Sequence, residues 1–221
     1  MTPSSSVART LVLALALAAS APVALAGAYD DFFRAAKLND AKEVQTLIAR
    51  GFDPNTQDEA RGETGLMVAL REGSMETFQV LLNAPDINLE TRARNGDTAL
   101  MIASFLGNLP AVKALLDKGA QVNRPGWTAL HYAAAIGNND IVSLLLEQHA
   151  YIDAESPNKT TPIMMAARAG KIYTVKLLLD EGADATLKND LGMTAIDFAE
   201  KNNFKDIAEG LTARLRKAGK L

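Results

Sequence analysis

Apolar residues recur along the chain in one repeated phrase. The stretches "ETGLMVALREGSMETFQVLL", "DTALMIASFLGNLPAVKALL", "WTALHYAAAIGNNDIVSLLL", "TTPIMMAARAGKIYTVKLLL" and "MTAIDFAEKNNFKDIAEGLT" align on Thr64, Thr98, Thr128, Thr161 and Thr194, spaced by 34, 30, 33 and 33 residues. In the first four, Phe78, Val112, Val142 and Val175 are followed three and four positions later by Leu81/Leu82, Leu115/Leu116, Leu145/Leu146 and Leu178/Leu179. That spacing keeps one face of a helix apolar, whereas a half-buried strand would alternate. Nine residues after each threonine stand Gly73, Gly107, Gly137, Gly170 and Asn203, residue types that accept the left-handed conformation ending a helix. A weaker copy runs from Asp30 through Asn39 to Val44 and Leu47/Ile48. The pattern predicts an all-α chain of about six units, each a helix, a tight turn, a second helix and a loop.

The first 26 residues stand outside this pattern. Arg9 precedes an apolar run that starts at Leu11 and ends at the small-x-small triplet Ala24-Leu25-Ala26, the layout of a secretory signal cut after Ala26. Pro22 inside the run and its Ala-rich tail argue against a spanning anchor. The short, Ala-rich signal has a bacterial look, so the expected destination is the periplasm, with secretion as the alternative and no membrane attachment after cleavage. Removing residues 1–26 takes away one basic residue, leaving 22 basic against 26 acidic and a net charge of −4. That balance gives no pull toward nucleic acid or anionic membrane and slightly favours a basic partner. Cysteine is absent, which excludes disulfides, thiolate metal sites and a lipidated cysteine anchor.

A period near 33 carrying Thr-x-Leu-His-x-Ala-Ala, as in "TALHYAAAIGNNDIVSLLLEQHAYID", resembles the ankyrin repeat. The resemblance covers roughly Tyr29 to Thr212. It implies a solenoid of antiparallel helix pairs whose connecting loops project as short β-hairpin fingers, filling residues 27–221 with units near 29–61, 62–95, 96–125, 126–158, 159–191 and 192–221. Each unit would bury its apolar face only against its neighbours, so the stack is expected to fold as one cooperative domain. The first and last units carry more polar helices, as caps facing water should. Thr98 to Thr128 is three residues short of the regular period, and the missing part falls in the finger "QVNRPGWT", where Pro125 also removes a backbone donor.

Catalysis finds no foothold in the chain. No phosphate loop, HExxH, GxSxG or dinucleotide glycine pattern appears, so neither enzyme activity nor a cofactor is expected. The resemblance implies that His131 starts a first helix and bonds backbone of the adjoining loop. His149 lies eighteen residues on without a partner at metal-ligand spacing, so it reads as a loop residue and no metal site is expected.

The resemblance also implies where a protein partner would sit. In the family the residue before the repeat threonine points into a concave groove, and here it is Glu63, Asp97, Trp127, Thr160 or Met193. The ends of the first helices face the same groove with Arg71-Glu72, Phe105-Leu106, Ala135-Ile136 and Arg168-Ala169 in the second to fifth units. An apolar middle with charged ends is the arrangement of a protein-binding surface. Trp127, Phe105, Leu106 and Ile136 are the expected anchors, with Arg71, Arg94, Arg124 and Arg168 flanking them. The alternative for Trp127 is a structural plug, on which Phe105, Leu106 and Ile136 pack to seal the gap left by the short finger. The expected function is a non-catalytic interaction module. A secreted effector acting on a host protein is the second reading; an enzyme or enzyme-inhibitor subunit is the third.

Overall fold

The computed structural model describes residues 27–221. The expected signal sequence and its cut after Ala26 lie outside the described residues. Twelve helices and no strand are present among those described. Helix α1 spans 27–38. It is followed by α2 Ala41–Ala49, α3 Gly65–Glu72, α4 Met75–Leu82, α5 Ala99–Phe105, α6 Leu109–Asp117, α7 Ala129–Ile136, α8 Asn139–Glu147, α9 Pro162–Arg168, α10 Ile172–Asp180, α11 Ala195–Lys201 and α12 Lys205–Lys217. The helices gather into two compact units, the first ending at Ile87 and the second running from Asn88 to Leu221.

Each repeat threonine sets a helix start. Thr64, Thr98, Thr128, Thr161 and Thr194 are all N-caps in extended backbone, which puts a side-chain oxygen near the unpaired N–H groups of the first turn. The third helical residue reaches back in return: Met101 Sδ and Met164 Sδ accept from the Thr98 and Thr161 N–H at 3.4 Å, and Asp197 Oδ2 accepts from Thr194 N–H at 2.6 Å. At the other end, Gly137 closes α7 with φ at 82°, and Asn203 takes φ of 63° at the equivalent place. In the second unit the first helices stack on one another, α5 on α7, α7 on α9 and α9 on α11, and each packs on its own second helix. Fully buried alanines, Ala103, Ala133, Ala134, Ala166, Ala167 and Ala199, let these short helices approach closely, while Val112, Leu115, Ile141, Val142, Leu145 and Leu178 fill the layer beneath.

The fingers are tight turns rather than the expected β-hairpins. In the second unit Ala93 N–H bonds Asp97 O and Gly96 N–H bonds Ala93 O, and Ser156/Thr160 with Lys159/Ser156 and Asn189/Met193 with Gly192/Asn189 repeat the scheme. In the first unit Asp58 and Glu63 do the same, beside one isolated antiparallel bridge from Gln57 to Thr64. Each of these four fingers turns into its helix cap after a single pair of bonds, too soon for a ladder to extend. The short third finger is held from the finger before it: Arg124 is ion-paired with Glu90, whose Oε1 also accepts Gln121 N–H at 2.8 Å.

His149 stands where four second helices end in glycine. Gly51, Gly119, Gly182 and Gly219 take φ of 94°, 85°, 99° and 66° two residues past α2, α6, α10 and α12, and His149 takes 63° two residues past α8. A side chain in that conformation meets its own backbone, at roughly 1–2 kcal/mol, part of which glycine's freedom in the unfolded chain cancels. Because His149 is exposed, His149→Gly is expected to raise stability by about 0.5–1 kcal/mol, read as a higher urea midpoint at unchanged slope.

Candidate binding face

All four expected anchors lie in the second unit, and two of them, Phe105 and Trp127, are in ring contact with α7. Phe105, at the end of α5, is 51% exposed, and Leu106 beside it is 42% exposed. The Phe105 ring meets Tyr132 of α7 edge-on with centroids 5.9 Å apart. Tyr132 Oη donates to Asp97 Oδ1 at 2.6 Å, and Asn95 Nδ2 donates to Asp97 Oδ2 at 2.6 Å. Ile136 ends α7 half-buried. Trp127, also half-buried, lies edge-on to His131 at 5.2 Å. His131 in turn bonds Thr160 O in the fourth finger, Nε2 to oxygen at 2.9 Å. One chain of contacts therefore ties the second, third and fourth fingers to α5 and α7. The two aromatic anchors each find a ring on α7, Tyr132 for Phe105 and His131 for Trp127. Tyr132 was not singled out from the sequence, although it follows His131 directly and so shares its place near the fingers.

The four arginines fall into two kinds. Arg71 Nε bonds Glu63 Oε1 at 2.5 Å within the first unit, and Arg124 is taken by Glu90 within the second. Arg94 and Arg168 are exposed. The position before the repeat threonine is more enclosed than expected: Glu63 is 3% exposed, Thr160 and Asp97 are likewise buried, and Trp127 and Met193 are half-buried. Polar residues are buried there because each has a partner, Arg71 for Glu63, Tyr132 and Asn95 for Asp97, and Ser156 Oγ for the Thr160 N–H.

His131 is wholly buried, and both ring nitrogens are engaged. A backbone N–H can only donate and a carbonyl can only accept, so Nδ1 accepts from Thr128 N–H at 3.2 Å while Nε2–H donates to Thr160 O. That assigns the neutral tautomer. Burial pushes its pKa down from 6.5 to about 4, against the opposing pull of the Thr160 and Ala154 backbone. At neutral pH the ring has no lone pair or proton left over for a substrate. Among the described residues no group of three or more His, Asp or Glu could hold a metal ion, and no helix is long and apolar enough to cross a membrane. Asp197 is held below the usual carboxylate range by hydrogen bonds from the Thr194 hydroxyl and backbone N–H, so it too serves a helix start.

Comparison with known proteins matches the repeat throughout. A family model for ankyrin repeats in sets of three copies matches residues 32–125, 80–156 and 130–218. The chain is 33% identical over 178 residues to SH3 and multiple ankyrin repeat domains protein 2 of Homo sapiens, covering 78% of this chain and 10% of that protein. It is 30% identical over 160 residues to transient receptor potential cation channel subfamily A member 1 of Homo sapiens, covering 67% of this chain and 14% of the channel. The B-cell lymphoma 3 protein homolog of Mus musculus is 29% identical over 178 residues, with 77% of this chain and 40% of that protein covered. The chain thus spans a small part of the length of each of these relatives.

Proposed function

Because the chain belongs to the ankyrin repeat family, a family of protein-protein interaction modules, we propose that it is a non-catalytic binding module of the periplasm. Its partner docks on the finger and first-helix face of the second unit. The observation that carries this reading is the exposed pair Phe105 and Leu106 beside half-buried Trp127 and Ile136, on a framework in which His131 is bonded to the fourth finger and Tyr132 to the second. A framework fixed in this way presents its surface ready-made, so little ordering entropy opposes association. The groups that could do chemistry are committed to structure, His131 to two backbone bonds and Asp97 to Tyr132 and Asn95.

Trp127→Ala is expected to weaken partner binding by roughly thirty-fold, about 2 kcal/mol, as truncation of an aromatic anchor typically does. Glu63→Ala and Thr160→Ala change buried positions before the threonine, so their effect should appear as lost stability. Binding isotherms below the melting transition, alongside melting curves, separate the two. A Trp127 variant that melts early yet binds normally would identify the ring as a plug and remove it from the interface.

Periplasmic residence rests on the signal-like run ending at Ala26. Protein recovered from producing cells should begin at Gly27 and partition with the periplasmic fraction. Recovery chiefly from the medium would favour the secreted effector, and a chain beginning at Met1 in the membrane fraction would overturn export.

A further inference from the structure

We infer that the occupant of this face is an acidic segment of a partner protein, with a bulky apolar side chain seated by Trp127 and carboxylates reaching Arg168 and Lys159. The inference rests on the binding-face reading above and adds the charge and order of the partner. It also runs against the chain's overall charge of −3, which by itself favours a basic partner.

The repeat supplies an internal comparison. In the first unit the cation seven residues after the threonine, Arg71, bonds the carboxylate just before the threonine, Glu63, at 2.5 Å. These two positions therefore lie side by side in the repeat. In the fifth repeat the same positions hold Arg168 and Thr160, and the residue before Thr160 is Lys159. Where the second repeat carries an ion pair, the fifth carries two exposed cations and no carboxylate between them. The sixth repeat continues the series, with exposed Lys201 beside Met193. In the fourth repeat the pair is Ala135 and Trp127, so no long side chain stands over the indole from that position.

Carboxylates on the second, fourth and fifth fingers form no ion pair with these cations among the described residues. Asp97 is occupied by Tyr132 and Asn95, and Glu90 by Arg124 and the Gln121 N–H. Glu155 in the fourth finger and Asp190 in the fifth are exposed, and neither forms an ion pair with Lys159 or Arg168 among the described residues. Asp190 meets the fourth finger through its backbone, N–H to Asn158 O at 3.1 Å. Lys159 carries a second mark. It takes φ of 58° at the finger-turn position where Gly62, Gly96, Gly126 and Gly192 stand in the other copies. A lysine held in glycine's conformation, with no internal partner for its ammonium, is strain without an internal return, the kind of strain found at binding sites.

Continuity with Trp127 comes through His131, which touches the indole on one side and bonds Thr160 O, one residue from Lys159, on the other. The apolar region and the cations thus adjoin, and a ligand with a bulky apolar residue followed by acidic ones satisfies both. A partner carboxylate would make at Arg168 the bond that Glu63 makes at Arg71.

Random dodecapeptides displayed on phage and selected on the purified protein provide the test, with winning peptides titrated by isothermal calorimetry on the parent protein and its variants. Selected sequences should carry an aromatic or large aliphatic residue next to Asp and Glu. Lys159→Glu with Arg168→Glu should weaken the winners by about tenfold or more near physiological salt, with a smaller effect at high salt. Winners that need Trp127 and Phe105 but show no acidic bias, or that ignore the charge reversal, would overturn this inference and leave the binding face standing. Failure to select any peptide, or winners indifferent to Trp127→Ala and Phe105→Ala, would overturn the face itself. A single-stranded oligonucleotide that displaces the winners at equal concentration would identify a polyphosphate ligand and overturn the peptide assignment.

Discussion

Lowering the pH from about 7 to about 4 is expected to cost the fold about 3 kcal/mol through His131 alone, and His131→Met is expected to abolish that loss. The ring titrates near 6.5 in an unfolded chain and near 4 in the native one, chiefly because burial disfavours the charged form. Between these values the unfolded state holds more protons, so it gains on the native state as the pH falls. Stability from this group is complete above about 6.5, declines through the window and levels off below about 4. Methionine is the informative replacement because Met101 and Met164 occupy the same helical position and accept the N-cap N–H through sulfur. The change gives up the bond to Thr160 O, which still accepts from Ser156 N–H at 3.0 Å, so the loss at neutral pH should stay near 1 kcal/mol. Urea midpoints measured across the window on both proteins decide the matter. Parallel pH profiles would show that His131 takes its proton without unfolding, and that the assigned bonding is wrong.

His131 also shows what could be read in the chain before its fold was known. The resemblance to the repeat family implied a helix start and a backbone partner for it, and the structure gives it two. Asn203 was aligned with the glycines, and its φ of 63° joins it to them. These features depend on backbone conformation within a unit, which a repeated sequence spells out several times over. The enclosure of Glu63, Asp97 and Thr160 was not legible. A polar side chain reads as exposed until its partner is known, and Arg71, Tyr132 and Ser156 lie four to thirty-five positions away. The division at Ile87 was not legible either, since every junction between units reads alike in the pattern. At the binding face, the apolar middle followed from register, whereas the contrast between paired Arg71 and unpaired Arg168 needed the contacts themselves.

Gly65→Ala is expected to destabilise the first unit by about 2–3 kcal/mol, although it puts a better helix former into α3. A Cβ at Gly65 would stand 2.6 Å from Phe32 Cε1 and 2.7 Å from its Cζ, closer than carbon atoms approach. Phe32 cannot yield easily, being fully buried, edge-on to Phe33 at 5.3 Å and tilted on Phe52 at 4.5 Å. The repeat explains the glycine. Two residues into the later first helices stand Leu66, Leu100, Leu130, Ile163 and Ile196, where the first repeat has the larger Phe32. One residue in stand Ala99, Ala129, Pro162 and Ala195, where the second repeat has Gly65. The pair conserves volume, a ring gained on one helix and a methyl given up on the next. Phe32→Leu should therefore relieve Gly65→Ala, since Leu100 and Ala129 hold those two positions in the second unit. A double-mutant cycle should return a coupling of about 1–2 kcal/mol in favour of the pair. If the two substitutions simply add, the ring and the glycine are independent, and Gly65 must owe its place to something other than the room it leaves for Phe32.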